Sequence, residues 1–113
     1  CDRVKCNNYG WQIVNIDCTG NRVGCIGFGP KKVIVVVGAN KIVADAAEGI
    51  KRAKSVAPMN SKRIHHNNPC DETCRCEDCT GEMRVCNVIS IIDGCYKFPG
   101  RISVVVVGEE LGF

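Results

Sequence analysis

Short β-branched runs separated by glycine, proline and polar turns predict five strands along the 113-residue chain. The runs KVIVVV and ISVVVV, residues 32–37 and 102–107, contain no polar residue beyond their first two positions. Continuous runs of this kind are typical of strands that are buried on both faces of a sheet. The predicted strands cover residues 12–16, 23–28, 32–37, 86–92 and 102–107.

One helix is predicted between the third and fourth strands. Asp45 and Glu48 have the spacing of an N-cap residue and its capping partner, and Pro58 is expected to end the helix near Ala57. The alternation of strands with a helix predicts an α/β fold with a central, largely covered sheet. Apolar residues that recur at three- and four-residue intervals form one stripe on this helix: Val43, Ala46, Ala47, Ile50, Ala53 and Ala57.

The segment PCDETCRCEDCTGEMRVC, residues 69–86, contains five of the ten cysteines in the chain. A C-x2-C pair lets two thiolates from one tight loop converge on a single tetrahedral ion, and two flanking thiolates can complete the shell. Cys74 adds a thiol inside the first gap of the pattern. The four candidate metal ligands follow the spacing C-x5-C-x2-C-x6-C and are Cys70, Cys76, Cys79 and Cys86.

These sulfurs have several possible states. Zinc would make the segment a structural clasp, and an iron–sulfur cluster would make it an electron-transfer centre, although the spacing differs from the bacterial ferredoxin pattern. Reduced thiols without metal and disulfides are the alternatives. His65 or His66 can join a zinc site, but adjacent residues rarely reach one ion together. Because the Val/Ile runs can build a hydrophobic core, the chain does not need disulfide bonds for stability. A reducing cytoplasm is therefore favoured.

Two turns are candidate sites for a small anion. Residues 17–22 (DCTGNR) expose backbone N–H groups beside a guanidinium, while the alternative is an ordinary hairpin turn in which Arg22 pairs with Asp17. Residues 38–41 (GANK) follow a buried strand, and α/β folds bind ligands beyond the carboxyl ends of their strands. The candidate ligand-binding residues are Asp17, Gly20, Asn21, Arg22, Asn40 and Lys41.

Composition narrows the class of protein. The length suits a single domain spanning residues 1–113, and no apolar run approaches the roughly 20 residues of a membrane helix. A net charge of +3 and an aromatic content of 5% give neither the basic surface nor the stacking platform of a nucleic-acid binder. We therefore expect a soluble, globular protein. Because the chain begins at Cys1 without an initiator Met, we also expect it to start partway through a longer protein.

Several segments together resemble one family. VNIDCTGNRV, GPKKVIVVVGANKIV, APMNSKR, the spacing of the four cysteines, RVCNV and ISVVVVGEELGF are similar to the C-terminal part of lactate-utilisation (LUD) domain proteins of the short, stand-alone type. The resemblance extends from about residue 12 onward. The family pattern has glycine where this chain has Cys18 and Cys74, so the resemblance implies that Cys74 is not an obligatory ligand.

The resemblance implies a three-layer α/β/α fold with a mixed sheet, similar to the CoA-transferase and sugar-phosphate isomerase superfamily, of which this chain holds part. It also implies a role in the utilisation of lactate or another small organic acid and in redox metabolism. No residue of the sequence can be identified as a nucleophile or a general base, so catalysis is left open. The alternative is a cysteine-cluster module with a structural or electron-transfer role. The expected partners are a small organic acid or anion and either a second copy or the missing N-terminal half.

Overall fold

A computed structural model describes the backbone of residues 3–7 and the whole of residues 10–113. The described strands are β1 (Arg3–Asn7), β2 (Gly10–Asp17), β3 (Val33–Gly38), β4 (Val88–Ile92) and β5 (Ile102–Val107). The described helices are α1 (Asn21–Gly27), α2 (Ala46–Arg63) and α3 (Cys70–Thr73), with a 3-10 turn at Ala39–Lys41. This mixture of helices and strands is that of an α/β fold.

The strands form two small sheets rather than one. β1, β2 and β4 pair antiparallel with β2 in the centre, and β3 pairs with β5 in parallel. Successive side chains of a strand point to opposite faces, so each sheet contributes one face to the space between them. Ile13 of β2 packs there against residues of the parallel pair, and the buried cluster consists of Ile13, Val35, Val37 and Ile102.

The prediction that residues 32–37 and 102–107 form strands is confirmed, but burial on both faces is wrong. Ile34, Val36 and Val105 lie on the outer face of the parallel pair and are 63%, 58% and 46% exposed. α2 packs mainly against β2 and β1 instead of this pair. The outer face of β3 and β5 is therefore an apolar surface within the described part of the chain.

The strand predicted over residues 23–28 is wrong, because this segment is the helix α1. The buried carboxylate of Asp17 accepts the backbone N–H groups of Arg22 at 2.9 Å and Val23 at 3.2 Å, which satisfies donors at the first turn of the helix. Gly20 precedes the helix with a φ of 87°, a value that favours glycine. The expected pairing of Arg22 with Asp17 is present, but it belongs to a helix start and not to a hairpin.

The N-terminus of α2 is as predicted, and its C-terminus is not. Asp45 Oδ1 accepts the backbone N–H of Glu48 at 2.8 Å, and the Glu48 carboxylate accepts the N–H of Ala44 at 3.2 Å. Pro58 lies inside the helix, which continues to Arg63. A proline removes one backbone hydrogen bond, and the burial of Pro58 against the body of the protein compensates for it. The additional turns carry polar residues toward the candidate site.

Among the described helices, none has both the length and the apolar character needed to cross a membrane. The eight cysteines that the structure describes are all free thiols, so no disulfide forms among them.

Candidate functional site

Asp17 anchors the loop that was predicted to bind an anion. Its side chain is only 3% exposed and accepts the backbone N–H groups of Cys18, Arg22 and Val23 together with Nη2 of Arg22. Burial alone would raise the pKa of this carboxyl, but the N–H groups of Val23, Cys18 and Arg22, followed by the Arg22 guanidinium, outweigh it and lower the pKa. Asp17 is therefore an ionised anchor that positions Arg22.

Arg22 presents part of its guanidinium to solvent. Its side chain is 51% exposed, and Nη2 donates to the carbonyl of Ile16 at 3.1 Å and to Asp17 Oδ1 at 3.3 Å. Within the described residues, Nε and Nη1 donate no hydrogen bond. One edge of the guanidinium is thus fixed by the protein, while donors remain for a carboxylate or phosphate.

Arg22, Lys41 and Arg63 surround one depression of about 400 Å³, which we call the basic depression. Arg63 is held in place because its Nε and Nη2 donate to Oδ1 of Asn60 at 3.2 and 3.1 Å. No acidic side chain is among the described residues of the lining. The structure thus brings together the two predicted turns, from which Arg22 and Lys41 come. The full lining is Arg22, Lys41, Val56, Asn60, Arg63, Gly112 and Phe113.

Asn40 holds the C-terminal segment beside this depression. Its Nδ2 donates to the carbonyl of Gly112 at 3.2 Å, and its Oδ1 accepts the N–H of Leu111 at 3.3 Å. The N–H of Ala39 donates to the carbonyl of Glu109 at 3.0 Å and adds a third contact. Asn40 therefore shapes the wall of the basic depression, of which Gly112 is part.

The remaining predicted residues of the first turn lie at the start of α1. Gly20 immediately precedes the helix, and Asn21 Oδ1 accepts the Thr19 hydroxyl at 3.3 Å. These local bonds shape the turn beneath Arg22. Contact of Asp17, Gly20, Asn21 or Asn40 with a ligand stays a prediction.

A second, smaller cavity of about 120 Å³ also borders Arg22; we call it the inner cavity. It lies between the end of β2, α2 and the end of the cysteine segment, and its volume corresponds to about four water molecules. Nδ1 of His66 is buried without a partner among the described residues. Polar and sulfur-bearing side chains of the lining are Cys18, Arg22, Asn60, Ser61, His66 and Cys86. Arg22 and Asn60 line both spaces, so the basic depression adjoins the inner cavity, which Cys86 of the cysteine segment also lines.

Hydrogen bonds tie the cysteine segment to α2. The buried Cys70 thiol donates to Asn68 Oδ1 at 2.9 Å, and the Asn68 amide donates to the Ser61 hydroxyl. Lys54 of α2 pairs with Asp78, and this hydrogen bond lowers the pKa of the Asp78 carboxyl. The segment is thus fastened to the helix at two separate points.

Arg84 fastens the other end of the segment. Its Nε donates to the carbonyl of Cys86 at 3.0 Å, and its Nη1 donates to the carbonyl of Cys79. One guanidinium therefore bridges the end of the C-x2-C pair and the last cysteine of the pattern.

Two of the four predicted metal ligands, Cys70 and Cys86, have raised pKa values, to which other cysteines of the segment contribute. Burial raises the pKa of Cys70, and negative charge on Cys79 and, more weakly, Cys86 raises it further. Burial likewise raises the pKa of Cys86, with further contributions from Cys76 and Cys79. Among the described residues, however, no three His, Cys, Asp or Glu side chains are gathered in a metal-binding arrangement. A metal ion would have to draw the four thiolates closer together.

Cys74 is placed differently from the other cysteines of the segment. It is exposed, has a φ of 54°, and its Sγ lies 3.6 Å from Nζ of Lys62. The positive φ agrees with the resemblance, in which glycine occupies this position.

Sequence reasoning missed Asn60, Ser61 and Arg63 because it ended α2 near Ala57. A signal was present: continuing the helical stripe past Pro58 places residues 60, 61 and 64 on the same face as Ala53 and Ala57. Asn60 lines both spaces beside Arg22, Ser61 lines only the inner cavity, and Arg63 lines only the basic depression.

Comparison with known proteins gives one match. A family model described as the LUD domain matches residues 12–107. No curated protein matches the chain, and neither does any solved structure.

Proposed function

The chain belongs to the LUD domain family, and from this premise we propose that it binds a small organic acid of lactate-related metabolism at the basic depression. The carboxylate of the ligand would bind Nε and Nη1 of Arg22, with Lys41 and Arg63 supplying further positive charge. The observation that carries this proposal is the convergence of three cationic side chains on one space of about 400 Å³.

The arrangement suits a carboxylate for electrostatic reasons. Guanidinium groups bind carboxylates through paired, charge-assisted hydrogen bonds, and here Asp17 and Asn60 hold Arg22 and Arg63 before any ligand arrives. Prior positioning lowers the entropy lost on binding. Val56, which lines the basic depression, offers an apolar surface to the carbons of a small acid. This proposal concerns binding and leaves catalysis open.

Replacing Arg22 with glutamine is expected to weaken the binding of pyruvate or lactate by about 10- to 100-fold, since a charge-assisted hydrogen bond contributes about 1.5–3 kcal/mol. Isothermal titration calorimetry with L-lactate, D-lactate and pyruvate measures this. Arg22→Lys keeps the charge and loses the paired donors, so its affinity should fall between those of the other two proteins.

The matched control is Arg75→Ala, which removes an exposed guanidinium from the cysteine segment. It should leave the affinity unchanged. Thermal unfolding of each variant separates lost binding from lost structure, because Arg22 also contacts Asp17. Equal affinities for Arg22→Gln and the unaltered protein would overturn the proposal.

A second candidate function is a metal- or iron–sulfur-binding cysteine module. Its support is that burial and the neighbouring thiols of the segment raise the pKa values of Cys70 and Cys86, because a bound cation would stabilise their thiolates. Zinc there would be structural, and an iron–sulfur cluster would transfer electrons.

Protein purified without oxygen is expected to contain zinc or an iron–sulfur cluster, bound to the segment of residues 69–86. Cys76→Ser should lose the metal because it removes one of the four sulfurs, whereas Cys74→Ser should retain it. Elemental analysis, acid-labile sulfide and an absorption spectrum distinguish zinc from iron. Absence of both metals, or equal loss in the two variants, would rule out this function.

The detailed architecture of the fold, its association with other chains and its cellular compartment are also proposals. We place the two sheets within a three-layer α/β/α architecture similar to that of the CoA-transferase and sugar-phosphate isomerase superfamily. The exposed apolar side chains of Ile34, Val36 and Val105 support association of β3 and β5 with a second copy of the chain or with the N-terminal half of a LUD domain. The free thiols support a reducing compartment such as the cytoplasm.

A further inference from the structure

A groove of about 570 Å³ lies away from the basic depression and the cysteine segment. It is formed by residues 27–31, which begin at the last residue of α1, and residues 97–101, which precede β5. Two aromatic side chains project from its walls, since Phe28 is 89% exposed and Phe98 is 61% exposed. Phenylalanine side chains this exposed lose favourable burial, so their presence on both sides of one groove calls for a function.

The two walls are tied together by hydrogen bonds. Arg101 Nε donates to the carbonyl of Pro30 at 2.9 Å, and its Nη1 donates to the carbonyl of Ile26 at 2.8 Å. Lys32 Nζ crosses in the other direction and donates to the carbonyl of Gly100 at 2.6 Å. The groove is therefore a preformed concavity, because each wall is fixed by a cationic side chain of the other.

The ionisable groups that line the groove all have one sign. They are Lys31, Lys97 and Arg101, and no Asp or Glu is among the described lining residues. Lys97 Nζ lies 5.9 Å from the centre of the Phe98 ring, so a cation and an aromatic face point to the same space. Arg101 is engaged by backbone carbonyls, which leaves Lys31 and Lys97 as the cations available to a ligand.

We propose that this groove binds a planar aromatic anion of the nucleoside phosphate class. The ring of the ligand would stack on Phe28 or Phe98, and its phosphate groups would be neutralised by Lys31 and Lys97. The volume lies within the range of about 300–1,000 Å³ that is typical of small-molecule sites. A ligand with both a ring and a negative charge uses both features of the lining. This inference does not depend on the proposed binding of an organic acid.

Titration of the protein with ADP, followed by amide chemical shifts, tests the proposal. Shifts should be confined to residues 27–31 and 97–101 and their neighbours. Phe98→Ala and Lys97→Ala should each weaken ADP binding by at least about fivefold, consistent with the loss of a stacking or charge contact. Ile34→Ala and Lys51→Ala remove an exposed apolar side chain and an exposed cation elsewhere and should have no effect.

Three further measurements make the outcome decisive. Adenosine and inorganic phosphate should each bind more weakly than ADP; phosphate that binds as tightly as ADP would overturn the proposal in favour of a general anion surface. Sedimentation should show no self-association that depends on Phe98, since a dimer lost in Phe98→Ala would make the groove an interface between copies. Absence of ADP binding at millimolar concentration would also overturn the inference, and the organic-acid proposal would be unaffected.

Discussion

Replacing Asp17 with alanine is expected to lower the free energy of unfolding by about 3 kcal/mol at neutral pH. The carboxylate is buried and accepts three backbone N–H groups and one guanidinium N–H. Alanine would remove the acceptor of the three backbone N–H groups, two of which lie at the start of α1, and a helix cap alone contributes about 1–2 kcal/mol. Urea denaturation at pH 7 measures the change.

The pH dependence of this effect identifies its electrostatic part. The pKa of Asp17 is lowered in the folded protein, so its ionisation stabilises the fold at pH values above its ordinary pKa of 3.8. This stability is lost as the pH falls through the lowered value, because the folded carboxyl must then take up a proton. The difference in unfolding free energy between the unaltered protein and Asp17→Asn should therefore shrink as the pH falls below about 5. A difference that stays constant from pH 7 to pH 3 would contradict this assignment.

The same substitution connects the fold with the proposed site. Arg22 Nη2 is held by Asp17 and by the carbonyl of Ile16, and the direction of this side chain determines whether Nε and Nη1 face the basic depression. Asp17→Asn keeps the shape of the side chain and can still accept hydrogen bonds, but it loses the charge. We expect it to weaken organic-acid binding less than Arg22→Gln does, because Arg22 remains present.

Local sequence was sufficient where one strong signal controlled the structure. The runs of residues 32–37 and 102–107 became β3 and β5, and the Asp45–Glu48 pair begins α2 as expected. Prediction from local sequence failed at α1, whose glycine-rich sequence NRVGCIG has weak helix propensity. There the decisive interaction is the contact of the buried Asp17 with backbone donors of the next segment. The burial of that carboxylate depends on tertiary packing and cannot be predicted from the pattern of residues along the chain.

The candidate site was predictable only in part for a related reason. Arg22 and Lys41 were found because each belongs to a polar turn beside an apolar run, and the structure places both at one depression. Arg63 lies beyond Pro58, where the rule that proline ends a helix was applied too strictly. Burial of Pro58 shows how packing can override a local preference of about 3 kcal/mol against proline inside a helix.

Replacing Gly38 with alanine is expected to lower the free energy of unfolding by about 1–3 kcal/mol, the usual effect of inserting an extra carbon into packed structure. The φ of Gly38 is −75°, which any residue adopts, so the requirement is for space. An added Cβ would lie only 2.6 Å from Oδ1 of Asn40 and 2.7 Å from the carbonyl of Glu109, and it would also overlap the backbone N of Leu111. The C-terminal segment would have to move away from the end of β3.

Gly24→Ala is the matched control for this substitution. An added Cβ at Gly24 meets nothing within 4 Å, and this residue lies inside α1. Alanine should therefore raise the free energy of unfolding by about 0.5–1 kcal/mol through the lower entropy of the unfolded chain. Chemical denaturation of both variants tests the pair, and similar changes of the same sign would contradict the role of space at Gly38.

Gly38→Ala also tests the basic depression without removing any cation. Displacement of the C-terminal segment would disturb its contacts with Asn40 and move Gly112, which lines the depression beside Lys41. If an organic acid binds there, its affinity should fall in Gly38→Ala while ADP binding in the groove of residues 27–31 and 97–101 persists. Loss of both activities together would instead indicate general unfolding, which the denaturation curve would show independently. Because the two sites share no lining residue, separate responses would establish that the chain has two independent ligand sites.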